Sequence, residues 1–236
     1  MNIVIPMSGL GSRFAQAGYA DPKPFIKLPN GKTMIESVTE NVTPNGSHKI
    51  YWLVRSEHIE RASPIAERLG VTQIPVQNVT QGAACTVLLV TEFIDNDQPL
   101  LLANSDQLVD ADINDFVDYT RNYDGGIVTF NATHPKWSYV RTSDDLVCEV
   151  AEKLPISANA TAGIYAFNCG SDFVYGAKQM IRQDIRVNGE FYVAPIYNEL
   201  ILSGRKIVAW GIDSDRMHGL GTPADLEAYA DRYRAQ

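Results

Sequence analysis

The stretch "IPMSGLGSRFAQAGYADPKPFIKL" (Ile5–Leu28) begins as an apolar run and breaks into a loop holding Gly9 and Gly11. Arg13 follows, then Lys23 between Pro22 and Pro24. In open α/β sheets, ligands bind at the carboxyl ends of strands, where a loop of this kind sits. Gly9 and Gly11 let the backbone turn so that several N–H groups point one way, a nest for an anion. Arg13 can grip phosphate oxygens as a fork, and Lys23 adds a point charge. The two prolines restrict the backbone around Lys23, so little entropy is lost on binding. The loop is not a Walker A motif, because no Gly-Lys-Ser/Thr follows. Nor is it the dinucleotide fingerprint, because Phe14 stands where the third glycine belongs.

Working outward, strand and helix signals alternate through the first half. "NIVIP" (Asn2–Pro6), "IYWLV" (Ile50–Val54), "VTQIPV" and "PLLLAN" (Pro99–Asn104) read as strands. "TMIESVTENV" (Thr33–Val42), the broken "EHIERASPIAERLG", "QGAACTVLLVTEF" (Gln81–Phe93) and "INDFVDYTRNY" (Ile113–Tyr123) read as helices. Such alternation predicts a mostly parallel sheet with helices on both faces. The second half brings strand-like runs in quick succession, "GGIVTFNATH", "SYVRTS", "LVCEVAEK" and "ATAGIYAFN", which predict a mixed or antiparallel extension. At the end, Thr222 suits an N-cap, Pro223 the first helical position and Asp225 a capping-box acid.

The chain has 236 residues, 45% hydrophobic and 20% charged, with a net charge of −8. That balance excludes a general nucleic-acid binder, which carries a basic face. No apolar run approaches the ~20 residues of a membrane span. "MNIVIPMSG" has no basic n-region, and Cys85, Cys148 and Cys169 form no CxxC pair. A reduced, cytoplasmic protein without membrane partners is therefore expected. His48, His58, His134 and His218 share no metal spacing, and no Ser or Cys pairs with a His as nucleophile and base.

Three further stretches carry candidate chemistry. In "PLLLANSDQLV" (Pro99–Val109), four apolar residues run into Asn104, Ser105 and Asp106. A carboxylate at the end of a central strand suits Mg²⁺, which binds one or two carboxylates plus substrate phosphates. In "VAEKLP", Glu152 and Lys153 end a strand, where the lysine can bind a second phosphate. In "NGEFYVAP", Glu190 and Tyr192 can contact substrate hydroxyls.

Jointly these pieces resemble the nucleotidyltransferases that activate sugar phosphates and similar phosphates with a nucleoside triphosphate. The family's glycine loop and Pro-Lys pair correspond to Met7, Ser8, Gly9, Leu10, Gly11, Ser12, Arg13 and Lys23. Gln81 and Gly82 resemble its nucleobase segment, and Ser105-Asp106 its metal-binding position. Tyr139 resembles a substrate-pocket residue, and Glu152-Lys153 the "EK" motif. Gly163 and Tyr165 resemble its "TGLY" strand, Glu190 its sugar-contacting acid, and "GLGTPADL" its closing "DTGTPEDL". One position departs: Gly219 stands where the family has a second metal aspartate, which leaves Asp213 or Asp215 as substitutes, or Asp106 acting with phosphates and water alone.

The resemblance implies a Rossmann-like three-layer sandwich of the GT-A-like type. It implies one domain over residues 1–236, with a nucleotide-binding half over about 1–110 and a substrate-binding half over about 111–236. The implied reaction passes a nucleotidyl group from CTP, UTP or dTTP to a sugar 1-phosphate or similar small phosphate or phosphonate, with Mg²⁺ and loss of pyrophosphate. Surface polysaccharide or glycoconjugate precursors would be the product class, and a homo-oligomer is admitted. Two other readings stay open: a GT-A-type glycosyltransferase using a nucleotide sugar, and a non-catalytic nucleotide or phosphosugar sensor.

Overall fold

Strand β1 (Asn2–Met7) owes its unbroken apolar run to cover on both faces. Ile3 and Ile5 pack in one core with Phe14, Ile35, Trp52 and Leu101, while Val4 packs in a second with Leu53, Val87, Leu102 and Phe173. The computed structural model, which describes residues 1–235, is accordingly a three-layer α/β sandwich. After β1 come β2 (Lys49–Arg55), β3 (Val71–Val76), β4 (Leu100–Ala103), β5 (Gln107–Val109) and β6 (Gly125–Asn131). Then follow β7 (Ser138–Ser143), β8 (Leu146–Glu152), β9 (Asn159–Phe167), β10 (Ile207–Ile212) and β11 (Met217–Gly219).

The main sheet runs β10-β6-β9-β4-β1-β2-β3, with β7 against β9 and β8 against β7. The block β4-β1-β2-β3 is parallel, as is the pair β6 and β10. β9 runs antiparallel to β4, β6 and β7, and β7 runs antiparallel to β8, so the expected extension is present. From β1 the chain moves to β2 and β3, then returns to place β4 on the other side of β1. The ends of β1 and β4 therefore bracket a topological switch point, where a ligand crevice opens. None of the helices among the described residues is long and apolar enough to cross a membrane.

Local sequence explains most elements. Thr33 caps the helix Met34–Asn41 in a capping box: Glu36 N donates to Thr33 Oγ1 at 3.4 Å, and Thr33 N to Glu36 Oε2 at 2.7 Å. The expected helix Gln81–Phe93 is instead three short turns, Ala83–Val87, Leu88–Val90 and Thr91–Ile94. The expected helix over Ile113–Tyr123 ends at Thr120. The ladder of β5 with β11 was not expected, because three-residue strands leave no periodicity to read. It matters nonetheless, since it ties the segment after Asp106 to the closing glycine segment. Asn41, at the end of its helix, clamps the ladder by donating to Val109 O at 2.8 Å and accepting from Val109 N at 2.9 Å.

Gly82 holds the crevice wall to the opposite half of the chain. Its φ is +124°, and a Cβ there would lie 2.4 Å from Phe191 O. This close approach lets Phe191 N donate to Gln81 O at 2.8 Å and Ala84 N to Phe191 O at 3.1 Å. Gly82→Ala should therefore cost about 2–4 kcal/mol. In a chain of this size that corresponds to a fall in Tm of about 5–10 °C. Circular dichroism melts would check this, and a variant melting with the wild type would show that the approach is not needed.

Candidate active site

The loop after β1 turns at Gly11, which sits in the left-handed region at φ 62° and opens the short helix Ser12–Gln16. A Cβ at Gly11 would lie 3.2 Å from Lys23 Cβ, so Lys23 is seated on bare glycine. Pro22 precedes the 3₁₀ turn Lys23–Phe25, whose Phe25 N donates to Pro22 O at 2.8 Å. Lys23 Nζ donates to Asp106 Oδ2 at 2.5 Å and lies 5.9 Å from the Phe14 ring centre. Asp106 is fixed from both sides: Asn104 N donates to Gly163 O at 2.9 Å and Leu220 N to Asp106 O at 2.8 Å.

Two cavities meet here. The larger, of about 480 Å³, lies between the glycine loop, Lys23 and the segment Val79–Thr86. The smaller, of about 220 Å³, lies between β7, the end of β8 and the closing segment. Arg13, Asn104, Asp106, Tyr192 and Gly221 line both. A ligand in one thus touches the walls of the other.

Most of the expected residues are brought together. Met7, Ser8, Gly9, Gly11, Ser12, Lys23, Gly82 and Ser105 line the larger cavity with the exposed Glu190. Glu152, Lys153 and Tyr165 line the smaller. Lys153 has φ 54°, a left-handed conformation that costs a residue with a Cβ roughly 1 kcal/mol or more. It closes the strand by donating its N–H to Trp137 O at 3.0 Å, while Nζ donates to Tyr192 O–H at 2.5 Å.

Other expected residues fall elsewhere. Leu10 is 65% exposed at the loop tip, Gln81 is exposed, and neither lines either of these two cavities; Gln81 contributes its carbonyl to Phe191. Tyr139 is fully buried, because strand alternation turns Ser138 to the cavity and Tyr139 to the core. Its O–H donates to His134 O at 2.6 Å, which anchors the turn before β7. Gly163 is buried behind the cavity wall, where a Cβ would collide with Gln107 and Asn104. Asp213 and Asp215 are exposed beyond β10 and line neither cavity.

A second carboxylate does face the smaller cavity beside Asp106, that of Asp225. Read as a helix cap, it is one: its N–H donates to Thr222 Oγ1 at 3.1 Å. Its side chain also faces the smaller cavity, accepting from Thr222 Oγ1 at 2.7 Å and from Lys136 Nζ at 2.8 Å. The point a Gly221 Cβ would occupy lies 3.3 Å from Asp106 Oδ2 and 3.9 Å from Asp225 Oδ2. Both carboxylates therefore face one spot above Gly221. Gly219 offers no side-chain oxygen, and Trp137 packs 3.2 Å from where its Cβ would be.

Hard oxygen donors of this kind fit Mg²⁺. Among the described residues no three His, Cys, Asp or Glu side chains converge on a metal position, so a cation here would take its remaining ligands from phosphate. Burial alone would raise the Asp225 pKa, but the Lys136 and Thr222 hydrogen bonds together bring it below the usual value. Burial raises Glu152 above its ordinary 4.5, against the opposing effects of Ser138 and Lys153. Burial, with Glu190 and Glu152 nearby, keeps the Tyr192 phenol protonated.

A sequence model of the nucleotidyl transferase family matches residues 3–184. Among solved structures, a nucleoside-diphosphate-sugar pyrophosphorylase from Vibrio cholerae is 27% identical, with a TM-score of 0.84 over 97% of this chain and 99% of that one. A Bacillus anthracis protein assigned as a glucose-1-phosphate thymidylyltransferase is 18% identical, with a TM-score of 0.76 over 100% of this chain and 96% of that one. The inositol-1-phosphate CTP transferase from T. maritima is 14% identical, with a TM-score of 0.76 over 97% and 93%. At these last two identities the likeness speaks for the fold.

Glu152 makes a pH-dependent prediction. A carboxyl whose folded pKa is raised weakens the fold as pH rises from the unfolded value through the folded one. Glu152→Gln removes that cost. The variant should be more stable than the wild type at pH 7.5, with the difference vanishing toward pH 4. Urea denaturation at the two pH values would check this, and an equal or opposite difference at pH 7.5 would contradict it.

Proposed function

The chain belongs to the nucleotidyl transferase family, and on that premise we propose that it passes a nucleoside monophosphate from a nucleoside triphosphate to a sugar 1-phosphate or similar small phosphate or phosphonate. The observation that carries this reading is the junction of two unequal cavities at Arg13 and Asp106, with the Lys23–Asp106 ion pair at their shared wall. The larger cavity suits the nucleotide and the smaller the acceptor. Residues of about 1–110 supply most of the first site and residues of about 111–236 most of the second, within one domain. The product would be an activated precursor of the kind used for surface polysaccharide or glycoconjugates.

In this reading an oxygen of the acceptor phosphate attacks the α-phosphorus in line. A P–O bond forms there as the bond to the bridging oxygen of the β-phosphate breaks, and the electron pair leaves with pyrophosphate. Arg13 and the backbone N–H groups of the glycine loop hold the leaving group. Lys23 turns from Asp106 to the phosphates. Lys153 aligns the attacking phosphate, and Tyr192, which lines both cavities, holds acceptor hydroxyls; Glu190 lines only the larger cavity and reaches the acceptor only where the two cavities meet. Asp106 and Asp225 would hold Mg²⁺, which neutralises charge on the phosphates when bound. Catalysis is then positioning and charge neutralisation, with no covalent intermediate on the protein. A glycosyltransferase reading leaves Arg13 and the glycine loop with no departing pyrophosphate to hold.

The test is pyrophosphate release, with CTP, UTP, dTTP, ATP and GTP each offered Mg²⁺ and a panel of sugar 1-phosphates, phosphocholine and small phosphonates. Release should require both substrates and the metal. No release from any pair, with nucleotide binding intact by calorimetry, would overturn the reading. Lys23→Ala and Asp106→Asn should each lower kcat/KM by ~10²-fold or more, about 2.7 kcal/mol of transition-state stabilisation. Turnover by Lys23→Ala at the wild-type rate would remove Lys23 from the mechanism.

A further inference from the structure

Lys136 has no part in the reading so far, yet its ammonium stands in the acceptor cavity. It lies in the turn before β7, held by Lys136 N donating to His134 Nδ1 at 3.1 Å and by Tyr139 from beneath. The amine sits 4.5 Å from the Trp137 ring centre, so the aromatic face carries the side chain along the cavity wall. Its partner is Asp225 Oδ1 at 2.8 Å, with the lysine 43% and the aspartate 22% exposed. An ion pair this open to water is weak and readily exchanged.

The arrangement repeats the one at Asp106. Two carboxylates face one spot above Gly221, and each carries a lysine: Lys23 on Asp106, Lys136 on Asp225. Lys23 lines only the larger cavity and Lys136 only the smaller. Any divalent cation taken up by the two carboxylates must compete with both lysines. Each displaced lysine is then released into a different cavity.

We propose that Lys136 is an acceptor-binding residue, stored on Asp225 and released to the acceptor's phosphate or phosphonate when Asp225 turns to a divalent cation. This rests on the transferase reading above. Loading the cation with the nucleotide thereby completes the anion site for the acceptor, beside Lys153. The site would take an acceptor with its dianionic group at the Lys136–Lys153 end.

Two measurements test this. In initial-rate kinetics, Lys136→Met should raise the acceptor KM about tenfold while leaving the nucleotide KM unchanged, and Lys136→Arg should restore most of the loss. In the second, Mn²⁺ binding is followed by electron paramagnetic resonance with a non-hydrolysable nucleotide and no acceptor. Lys136→Met should then bind Mn²⁺ at least threefold more tightly than the wild type, because no lysine competes for Asp225, and Asp225→Asn about tenfold more weakly. An unchanged acceptor KM overturns the binding role, and unchanged Mn²⁺ affinity in both variants overturns the exchange. If the wild type transfers to no acceptor, the transferase reading fails and the acceptor role with it, while the Mn²⁺ measurement still decides whether Lys136 and the cation compete.

Discussion

The ion pair between Lys23 and Asp106, at 2.5 Å with both side chains largely covered, is the constraint on which the site is built. It joins segments 83 residues apart in sequence. Removing either partner would leave an uncompensated charge in a confined space. Its geometry demands a glycine beneath Lys23, which Gly11 provides, and a rigid backing for Asp106, which the β5–β11 ladder and the Asn41 clamp provide. The prolines around Lys23 then limit how far the lysine can move once it leaves the carboxylate.

The sheet supplies the precision. β1 and β4 are parallel neighbours buried on both faces, so Gly9–Arg13 and Asn104–Asp106 emerge side by side from the buried centre of the sheet. The antiparallel extension does the same for Glu152 and Lys153, at some cost to stability. Lys153 is held at a positive φ, and Glu152 is half-buried with its carboxyl penalised. Both costs sit where an acceptor would bind, the usual place for strain retained for function.

Much of this was legible in the sequence, for physical reasons. Gly9, Gly11, Arg13, Lys23 and Asp106 were legible only jointly, because each alone is equally a turn or a solvated charge, and the structure sets all five on one cavity. Tyr139 was misread because a one-residue step along a strand reverses the face, and an isolated strand gives no parity. Asp213 and Asp215 looked suitable only by closeness in sequence; β10 carries them away from the cavity. Asp225 gave its true signal, that of a helix cap, and nothing in a linear pattern says that a capping carboxylate also faces a cavity. Lys136 and Trp137 were silent for the same reason, since only the fold brings the turn before β7 against the closing segment.

If two substrates meet at Asp106 and react directly, no bond to the protein intervenes. Exchange of labelled pyrophosphate into the nucleoside triphosphate tests it most directly. The account predicts that label enters the nucleotide only when the acceptor, or the nucleotidylated product, is also present. Exchange with nucleotide, Mg²⁺ and pyrophosphate alone would require a nucleotidylated side chain and would contradict the account.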